Sequence, residues 1–570
     1  MKRMNKIINA SAGTGKTYTI TEHYLELLLI HEVEPQDILL VTFTDNAAKD
    51  LRHEVLQKLR HKMTDTTGDA QADRIRSLLK KIEHAPISTI HAFCSSFLRT
   101  HAIEAGLSPQ FRVMEQDEQT LMLQEVAEQA FISSLAEDRD FVEFCSMKPI
   151  RLHFAFGASV TETAMRLIER AGSIGVDLSD ALSFLDPPQR TIQLADFKSI
   201  LESFDHIPST PAREQAKLAL QELLSSSQTL SDFLTAQTAH PHTFKGGKGI
   251  LTELRNTLKL AHNQAAYAEA YPTAEAFARF LARVASEYRA HKKQRDLLDF
   301  NDLQWFTLNA IQERSIPCKF SYMIVDEAQD TSRLQYHLLN SIWSQGGDLI
   351  VCGDRKQSIY GWRGADAHIM HDLEKALLQK SGEKQSLQVS WRSKKTLIDP
   401  INALFSKLYP MYDKQDALQA NASFTPSSTD QSVECLLPDE DAAYADRTEA
   451  VQAEMQALAK RIALLVHGAN TWQPSQRYDE GFKPISDTNR YTYKDILILL
   501  RVTKDQPILE QALRAHGIPY TISGRGQGLF STSTAKDLSL LLRVLTDPSD
   551  LYALIGLLRS PWLGLSLIHI

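Results

Sequence analysis

The sequence predicts an α/β fold in which a parallel sheet is interrupted by a large helical insertion and followed by a second α/β domain. Short apolar runs alternate with helix-periodic stretches over residues 1–115, the rhythm of strands joined by crossover helices. From 116 to about 290 the pattern is helical, interrupted by prolines. Strand-like runs return at 322–325 and 349–352, so a distant part of the chain is predicted to complete the first sheet.

The individual elements follow from apolar runs, helical periodicity and turn residues. Strands are predicted at Ile7–Ile8, Ile38–Val41, Ile87–Ile90, Tyr322–Val325 and Leu349–Cys352, and helices at about 16–30, 46–62 and 92–103. After 385 we expect a second α/β domain. Its predicted elements are a strand at Leu387–Val389, a helix over Leu397–Leu408, a polar linker at 421–432, a strand at Ile496–Leu500, a helix to His516 and two further helices up to Leu558.

These patterns divide the chain into five predicted segments. They are 1–115 (first domain, first part), 116–290 (helical insertion), 291–385 (first domain, second part), 386–545 (second domain, partial) and 546–570 (start of a second helical insertion). The final residues, 565–570, are mainly apolar and lack the polar residues that usually close a domain. We interpret this end as a sign of a fragment, the alternative being a tail that packs on its own core.

Composition limits the classes of function. A chain of 570 residues exceeds what one hydrophobic core usually organises, so several domains are expected. With 62 Lys and Arg against 70 Asp and Glu, the formal charge is −8, and any nucleic-acid contact must come from a local groove. The five cysteines are not spaced as a zinc site. Without an apolar signal core or a long uncharged stretch, the protein is predicted to be cytoplasmic and outside membranes.

A glycine-containing loop after the first apolar run carries the strongest motif. It opens a predicted helix, the context that a phosphate-binding loop requires. Backbone N–H groups would surround the phosphates of ATP, Lys16 would reach the β- and γ-phosphates, and the Thr17 hydroxyl would ligate Mg²⁺. A glycine-rich turn without a ligand is the alternative. The predicted ATP-binding residues of this loop are Ala10, Ser11, Ala12, Gly13, Thr14, Gly15, Lys16 and Thr17.

Two carboxylates follow the strand-like run 323–325. They would emerge at the sheet edge where a nucleotide sits. Asp326 is predicted to hold Mg²⁺, and Glu327 to orient and deprotonate the attacking water. An acidic strand end that caps the next helix is the alternative, but the loop at Lys16 favours catalysis.

The segment 353–366 combines amide, aromatic and guanidinium groups. Gln357 is placed to sense a γ-phosphate. Tyr360, Trp362 and Arg363 are suited to stack on and clamp unpaired bases of any sequence. Buried aromatic side chains with a surface ion pair are the alternative.

A Trp-Arg pair stands where the second α/β domain is predicted to begin. Arg392 is expected to reach the γ-phosphate across an interdomain cleft, which would couple hydrolysis to domain closure. Trp391 is expected to cover the face of the adenine. With the residues above, the predicted catalytic set is Lys16, Glu327, Gln357 and Arg392.

Six segments in one order together resemble the helicase motifs of the superfamily-one UvrD/Rep family. Within it, the phosphate loop with Ile518–Tyr520 and Leu558–Pro561 looks most like RecB and AddA. The six segments are the loop 10–17, Thr42–Thr44 with Ala47–Ala48, Ser88–Phe93, Asp326–Thr331, the segment around Gln357, and Trp391–Ser393.

The resemblance implies two RecA-like P-loop NTPase domains, the second incomplete, with ATP and Mg²⁺ as cofactors. It implies 3′-to-5′ translocation on DNA, with single-stranded and duplex DNA and other subunits of a helicase-nuclease complex as partners. The chain departs from the family pattern in having little room for an adenine-recognition segment before Lys6 and no counterpart of the last two helicase motifs. By resemblance, the residues that contact single-stranded DNA are Phe43, Thr89, His91, Tyr360, Trp362 and Arg363.

The leading hypothesis is an ATP-dependent DNA helicase in repair and recombination, the helicase part of a RecB/AddA-like exonuclease V subunit. An ATP-gated DNA-binding subunit without unwinding activity is the first alternative, because the last helicase motifs are missing. An ATP-dependent enzyme acting on a small molecule is the second alternative. It does not explain Trp362, Arg363 or the helical insertion.

Overall fold

Helices and short strands alternate through much of the chain in the computed structural model. It describes residues 4–564 except 66–67, 148–159, 190–191, 207, 209, 240–248, 362–363, 410–411, 413–415, 422–432, 437–443, 468–476, 479–483, 486–490 and 523–532. In chain order the strands are β1 (Lys6–Ala10), β2 (Ile38–Thr42), β3 (Ile87–Thr89), β4 (Arg112–Val113), β5 (Leu297–Leu298), β6 (Tyr322–Val325), β7 (Asp348–Gly353), β8 (Glu383–Leu387), β9 (Val389–Ser390), β10 (Gln419–Ala420), β11 (Arg477–Tyr478) and β12 (Pro484–Ile485).

The helices begin and end close to the predicted positions, and α3 is an addition that the sequence patterns did not reveal. In chain order they are α1 (Lys16–Leu29), α2 (Asp45–Thr64), α3 (Asp69–Lys81), α4 (Ile90–Thr100), α5 (Gln116–Glu137), α6 (Arg139–Met147), α7 (Val160–Ile174), α8 (Leu194–Ser203), α9 (Pro211–Ser226), α10 (Leu230–Ala239), α11 (Ile250–Gln294), α12 (Phe300–Gln312), α13 (Arg333–Ser344), α14 (Ile369–Gln379), α15 (Lys395–Leu408), α16 (Arg447–His467), α17 (Gln506–Ala515), α18 (Ser533–Thr546) and α19 (Leu551–Leu558).

Six strands form one parallel sheet in the order β3-β2-β6-β7-β1-β8. Strand β1 lies between β7 and β8, so the start of the chain and a distant part of it share this sheet, as predicted. Side chains alternate between two cores: along β7, Leu349 and Val351 belong to one, Ile350 and Cys352 to the other. Burial on both faces is expected of a parallel sheet covered by helices. The predicted α/β class is confirmed.

The carboxyl ends of these strands meet at one edge of the sheet, which is where ligands bind in open α/β sheets. Strand β1 leads into the glycine-containing loop, β2 into Phe43, β6 into Asp326 and β7 into Asp354. The segments predicted to carry chemistry therefore share this edge.

Two separate cores stabilise the helical region between α5 and α11. One contains Phe141 and Phe280, whose rings stack 4.8 Å apart. The other contains Phe197 and Phe233, with centroids 4.5 Å apart. Helix α11 contributes to both, because its 45 residues continue through Pro272. The predicted helical character of this region is confirmed.

The described chain divides into two compact units, residues 1–393 with 409–421 and residues 394–408 with 422–570. Within the second unit, α16 packs on α17 through a core that includes Met455, Ile462 and Leu513. The domain boundaries predicted at 115, 290, 385 and 545 stay predictions. Across the described residues, every helix is too short or too polar to span a lipid bilayer.

Two predicted strands were wrong in their placement. The run near Leu387 was expected to begin the second domain, but β8 pairs with β1 from Glu383 to Leu387 and belongs to the first sheet. The segment Ile496–Leu500 has no strand assignment. There Leu497 and Leu499 are 78% and 83% exposed. The apolar run that indicated a strand therefore packs on one side only and has no partner strand in the described residues.

Candidate active site

The loop between β1 and α1 has the form of a phosphate-binding turn. The Thr14 hydroxyl donates to the Ser11 carbonyl over 2.7 Å and closes the turn. Gly13 has a φ of 74°, and a Cβ atom there would lie 2.6 Å from the Arg392 Cβ, so only glycine suits both the backbone and the contact. Helix α1 begins at Lys16, and its N-terminal N–H groups therefore face the loop, as anion binding requires.

Lys16 lies between the two predicted catalytic carboxylates. Its Nζ is 3.5 Å from Asp326 Oδ1 and forms an ion pair with Glu327. Burial alone would lower the pKa of Lys16, but Asp326 and Glu327 outweigh it and raise that pKa. Burial raises the pKa of Asp326, and Lys16 opposes that rise. The fold thus brings these three residues together from sequence positions far apart.

The residues present suit a magnesium ion that is shared with a nucleotide. Asp326 offers one carboxylate, and Thr17 is exposed on the first turn of α1 next to Lys16. Mg²⁺ is commonly held by one or two protein oxygens, with phosphates and water completing its shell. No group of three or more His, Cys, Asp or Glu forms a potential metal site within the described residues.

Gln329, which sequence reasoning missed, fixes the orientation of Glu327. Its Nε2 donates to Glu327 Oε2 over 2.7 Å, and its Oε1 accepts from the Asp354 N–H over 3.0 Å. The side chain is 2% exposed. A Cβ atom at Gly353 would lie 2.6 Å from Gln329 Oε1. The Gln329 amide therefore links the end of β6 to the end of β7. It occupies space beside Gly353 that a larger residue there would fill.

Glu327 itself has a left-handed backbone, with a φ of 51° and a ψ of 41°. For a residue with a side chain this conformation costs about 1 kcal/mol. The Glu327 N–H donates to Asp326 Oδ1 over 2.9 Å, which helps to hold the turn. The strained position turns the carboxylate toward Lys16.

Gln357 is exposed and is anchored by its own segment. Its Nε2 donates to Asp354 Oδ2 over 2.9 Å. The neighbouring Lys356, which the sequence analysis did not single out, donates to Ser11 Oγ over 2.8 Å and to the Asp416 carbonyl over 3.0 Å. The segment after β7 is therefore tied directly to the glycine-containing loop.

Trp391 and Arg392 also lie beside this loop. The Trp391 N–H donates to the Gly13 carbonyl over 2.8 Å, and the indole is half exposed. The buried Ser390 Oγ accepts from the backbone N–H groups of Arg392 and Ser393 and holds the turn. These residues fall in the first compact unit, and the reach of Arg392 from a second domain stays a prediction.

The aromatic residues predicted to contact DNA are brought together in part. Phe43, after β2, stacks on Tyr360 with centroids 5.1 Å apart and planes 26° apart. Phe43 also lines a small cavity of about 30 Å³ with Asp326 and Glu327. The aromatic pair is therefore adjacent to the carboxylates. The predicted DNA contacts Trp362 and Arg363 lie outside the described residues.

The other two predicted DNA contacts point into the protein. The Thr89 hydroxyl accepts from the Ala92 N–H over 3.3 Å and caps α4. His91 Nε2 lies 2.9 Å from the Gln304 amide nitrogen, and burial lowers its pKa to about 4. A neutral His91 cannot attract a phosphate by charge, whereas the Thr89 hydroxyl accepts the Ala92 N–H and can still donate its own hydrogen. The two DNA contacts stay predictions.

The low pKa of His91 predicts a loss of stability in acid. Between about 4, its value in the folded protein, and 6.5, its ordinary value, the unfolded chain binds a proton that the folded chain does not. The contribution of a neutral His91 to the free energy of unfolding should be complete above pH 6.5. It should decrease as the pH drops toward 4. For His91→Gln, the fall between pH 7.5 and 5 should be about 2 kcal/mol smaller than in the parent.

Urea unfolding at the two pH values measures this difference. His84→Gln, at an exposed position, is the control and should keep the parent's pH dependence. An identical pH dependence in the parent and His91→Gln would contradict the prediction.

Comparison with known proteins agrees with this geometry. A family model described as the UvrD/REP helicase N-terminal domain matches residues 2–377. A second, described as the UvrD-like helicase C-terminal domain, matches residues 385–566. Together they support the predicted RecA-like P-loop folds.

Several curated relatives are each named as the A subunit of an ATP-dependent helicase/nuclease. The protein of Clostridium botulinum (strain 657 / Type Ba4) is 25% identical, covering 98% of this chain and 52% of the relative. That of Bacillus pumilus (strain SAFR-032) is 26% identical, covering 97% and 51%. That of Listeria monocytogenes serotype 4b (strain F2365) is 23% identical, covering 99% and 51%. The chain spans about half the length of these relatives, and it belongs to the UvrD/REP helicase family.

Proposed function

We propose that this chain is an Mg²⁺-dependent ATPase, stimulated by single-stranded DNA, that moves 3′ to 5′ along one strand and separates duplex DNA in repair and recombination. One observation carries the proposal: Lys16, Asp326 and Glu327 meet at a sheet edge that also holds the stacked rings of Phe43 and Tyr360. An enzyme acting on a small molecule does not account for this pair together with the large helical insertion.

In this proposal Lys16 binds the β- and γ-phosphates of ATP, and Thr17 and Asp326 hold Mg²⁺, which neutralises phosphate charge. Glu327 orients the attacking water and accepts its proton. The left-handed turn and the Gln329 amide keep that carboxylate in place.

Trp391, Arg392 and Gln357 respond to the nucleotide. Trp391 covers the adenine with its exposed indole, and Arg392, which contacts the loop at Gly13, reaches the γ-phosphate. Gln357 senses the γ-phosphate from the segment that also contains Tyr360. Bases of the DNA strand then pass over the Phe43–Tyr360 pair, because stacking tolerates any sequence. Trp362 and Arg363 extend this surface by resemblance.

The wider setting follows from the relatives, which are named as subunits of a helicase/nuclease. We place the chain in the cytoplasm, acting on single-stranded and duplex DNA with other subunits of a helicase-nuclease complex. The described cysteines, such as Cys94 and Cys352, are free thiols, as a reducing compartment favours.

ATP hydrolysis measured with and without oligo-dT tests the proposal. Phe43→Ala and Tyr360→Ala should each raise the DNA concentration for half-maximal stimulation about tenfold, because stacking on one base contributes about 1–3 kcal/mol. Hydrolysis without DNA should stay at the parent's rate. The control is Tyr267→Ala, at an exposed position of α11. A parent whose hydrolysis ignores DNA would contradict the proposal and favour the small-molecule enzyme.

Strand displacement from duplexes with a 3′ or a 5′ single-stranded tail tests the direction of movement. We expect release only from the 3′-tailed duplex. DNA binding and ATP hydrolysis without release from either duplex would instead support the ATP-gated DNA-binding subunit.

A further inference from the structure

A cavity of about 560 Å³ lies in the first unit, where the helical region meets helix α12 and strand β5. Helices α5, α7, α11 and α12 contribute its lining, with apolar walls that include Phe111, Ile168 and Phe306. Its size falls in the range of roughly 300–1,000 Å³ typical of small-molecule sites. The cavity is separate from the glycine-containing loop and its carboxylates.

Three polar side chains face this cavity without partners. Gln119 is 6% exposed, Glu169 is half-buried, and Asn301 stands on the first turn of α12. None of these three described side chains forms a hydrogen bond or ion pair. Their nitrogen and oxygen atoms are open to the space of the cavity and are not enclosed by protein, so they can form hydrogen bonds to water or to a ligand. The three groups therefore have the character of a binding site.

Most of the other charged side chains that line this cavity are paired, but the exposed Asp296 forms no ion pair within the described residues. Lys292 Nζ lies 2.7 Å from Asp299 Oδ2 and is hydrogen-bonded to Asp302. Arg289 pairs with Asp177. At the rim, Lys293 is exposed and forms no ion pair within the described residues.

We propose that this cavity binds a guanine nucleotide, with Glu169 and the two amides reading the base and Trp305 stacking on it. Guanine presents N1–H and its 2-amino group side by side, which matches the two oxygens of one carboxylate. Its O6 and N7 accept from amide donors such as those of Gln119 and Asn301. Adenine lacks the adjacent pair of donors. The half-exposed Trp305 ring offers a flat face, and Lys293 offers a cation for the phosphate.

The nucleotide has two possible sources, a DNA strand or the free pool. A DNA source is favoured by position: Ser173, the residue after the cavity-lining Gly172, contacts Gly364, next to the segment predicted to bind DNA. The DNA source rests on the proposed function, whereas binding of free nucleotide does not.

Calorimetric titration of the full chain with dGMP, dAMP and dTMP, at saturating ADP and Mg²⁺, tests the free source. Fluorescence anisotropy with oligo-dT carrying one central dG or dA tests the strand source. In at least one of these two experiments we expect guanine to bind about tenfold more tightly than the other bases. Glu169→Gln should abolish this preference. The control Glu162→Gln, on the same helix, should keep it.

Gln119→Met separates binding from folding. Removal of a buried amide without a partner should leave the melting temperature unchanged or raised, while guanine binding is lost. A guanine preference seen only with dGMP would identify the free nucleotide as the ligand. A guanine preference seen with the oligonucleotide would identify the DNA strand as the ligand. No guanine preference in either arm, or a preference that survives Glu169→Gln, overturns the proposal. ATPase stimulation by oligo-dT, measured on the same samples, reports separately on the proposed function.

Discussion

Glu327→Gln is expected to lower kcat for ATP hydrolysis by about 10²–10⁴-fold, the usual contribution of a positioned general base. The amide is nearly the same size but cannot accept the proton of the attacking water. Nucleotide binding should persist, because Lys16 and the loop N–H groups contact the phosphates without help from Glu327. Steady-state hydrolysis and the binding of a fluorescent ATP analogue measure the two effects.

A matched control is Glu118→Gln, which removes a carboxylate that pairs with Arg112 on the surface and should leave kcat unchanged. Unchanged hydrolysis in Glu327→Gln would contradict the assigned role. With unchanged DNA binding as well, that outcome would favour the ATP-gated DNA-binding subunit over a motor.

Most of the sheet could be predicted because parallel strands are buried on both faces. The runs that became β2, β6 and β7 are almost continuously apolar, and β1 leads directly into the glycine-containing loop. The convergence of Lys16 with Asp326 and Glu327 could also be predicted, since strand ends of one parallel sheet share an edge.

Other features depend on tertiary contacts that no local pattern records. Strand β8 has exposed and half-buried residues, so its place beside β1 follows from pairing and not from hydrophobicity. Thr89 was predicted to contact DNA, and the structure adds that its hydroxyl caps α4. A polar side chain between a strand and a helix can bond the backbone as a cap or can contact a ligand. Its sequence position alone does not show whether it forms the backbone bond.

Gln329 shows the same limit in the active site. In the sequence it is one polar residue in an acidic run, and the hydrogen bond that its Oε1 accepts from the Asp354 N–H depends on the residue that follows strand β7. The signal that could have revealed it is Gly353, a glycine at a strand end, which often marks the close approach of another group.

Gln329→Met is expected to lower kcat for ATP hydrolysis by about 10–100-fold with little change in KM. Methionine has a similar volume but no donor for Glu327, and displacement of a catalytic group by about 1 Å can cost on the order of 10²-fold. Gly353→Ala should have the same effect by pushing the amide away. Gln312→Met, which removes an amide bonded to Ser341 elsewhere, is the control.

A double-mutant cycle decides whether Gln329 acts through Glu327. If the amide only orients that carboxylate, Gln329→Met should have no further effect on kcat once Glu327 is glutamine, because the group that it positions has lost its function. Multiplying effects, or a rise in KM for ATP, would mean that Gln329 supports the phosphate loop or the fold instead. Since Asp354 begins the segment that contains Gln357 and Tyr360, loss of the amide should also weaken the stimulation of hydrolysis by DNA.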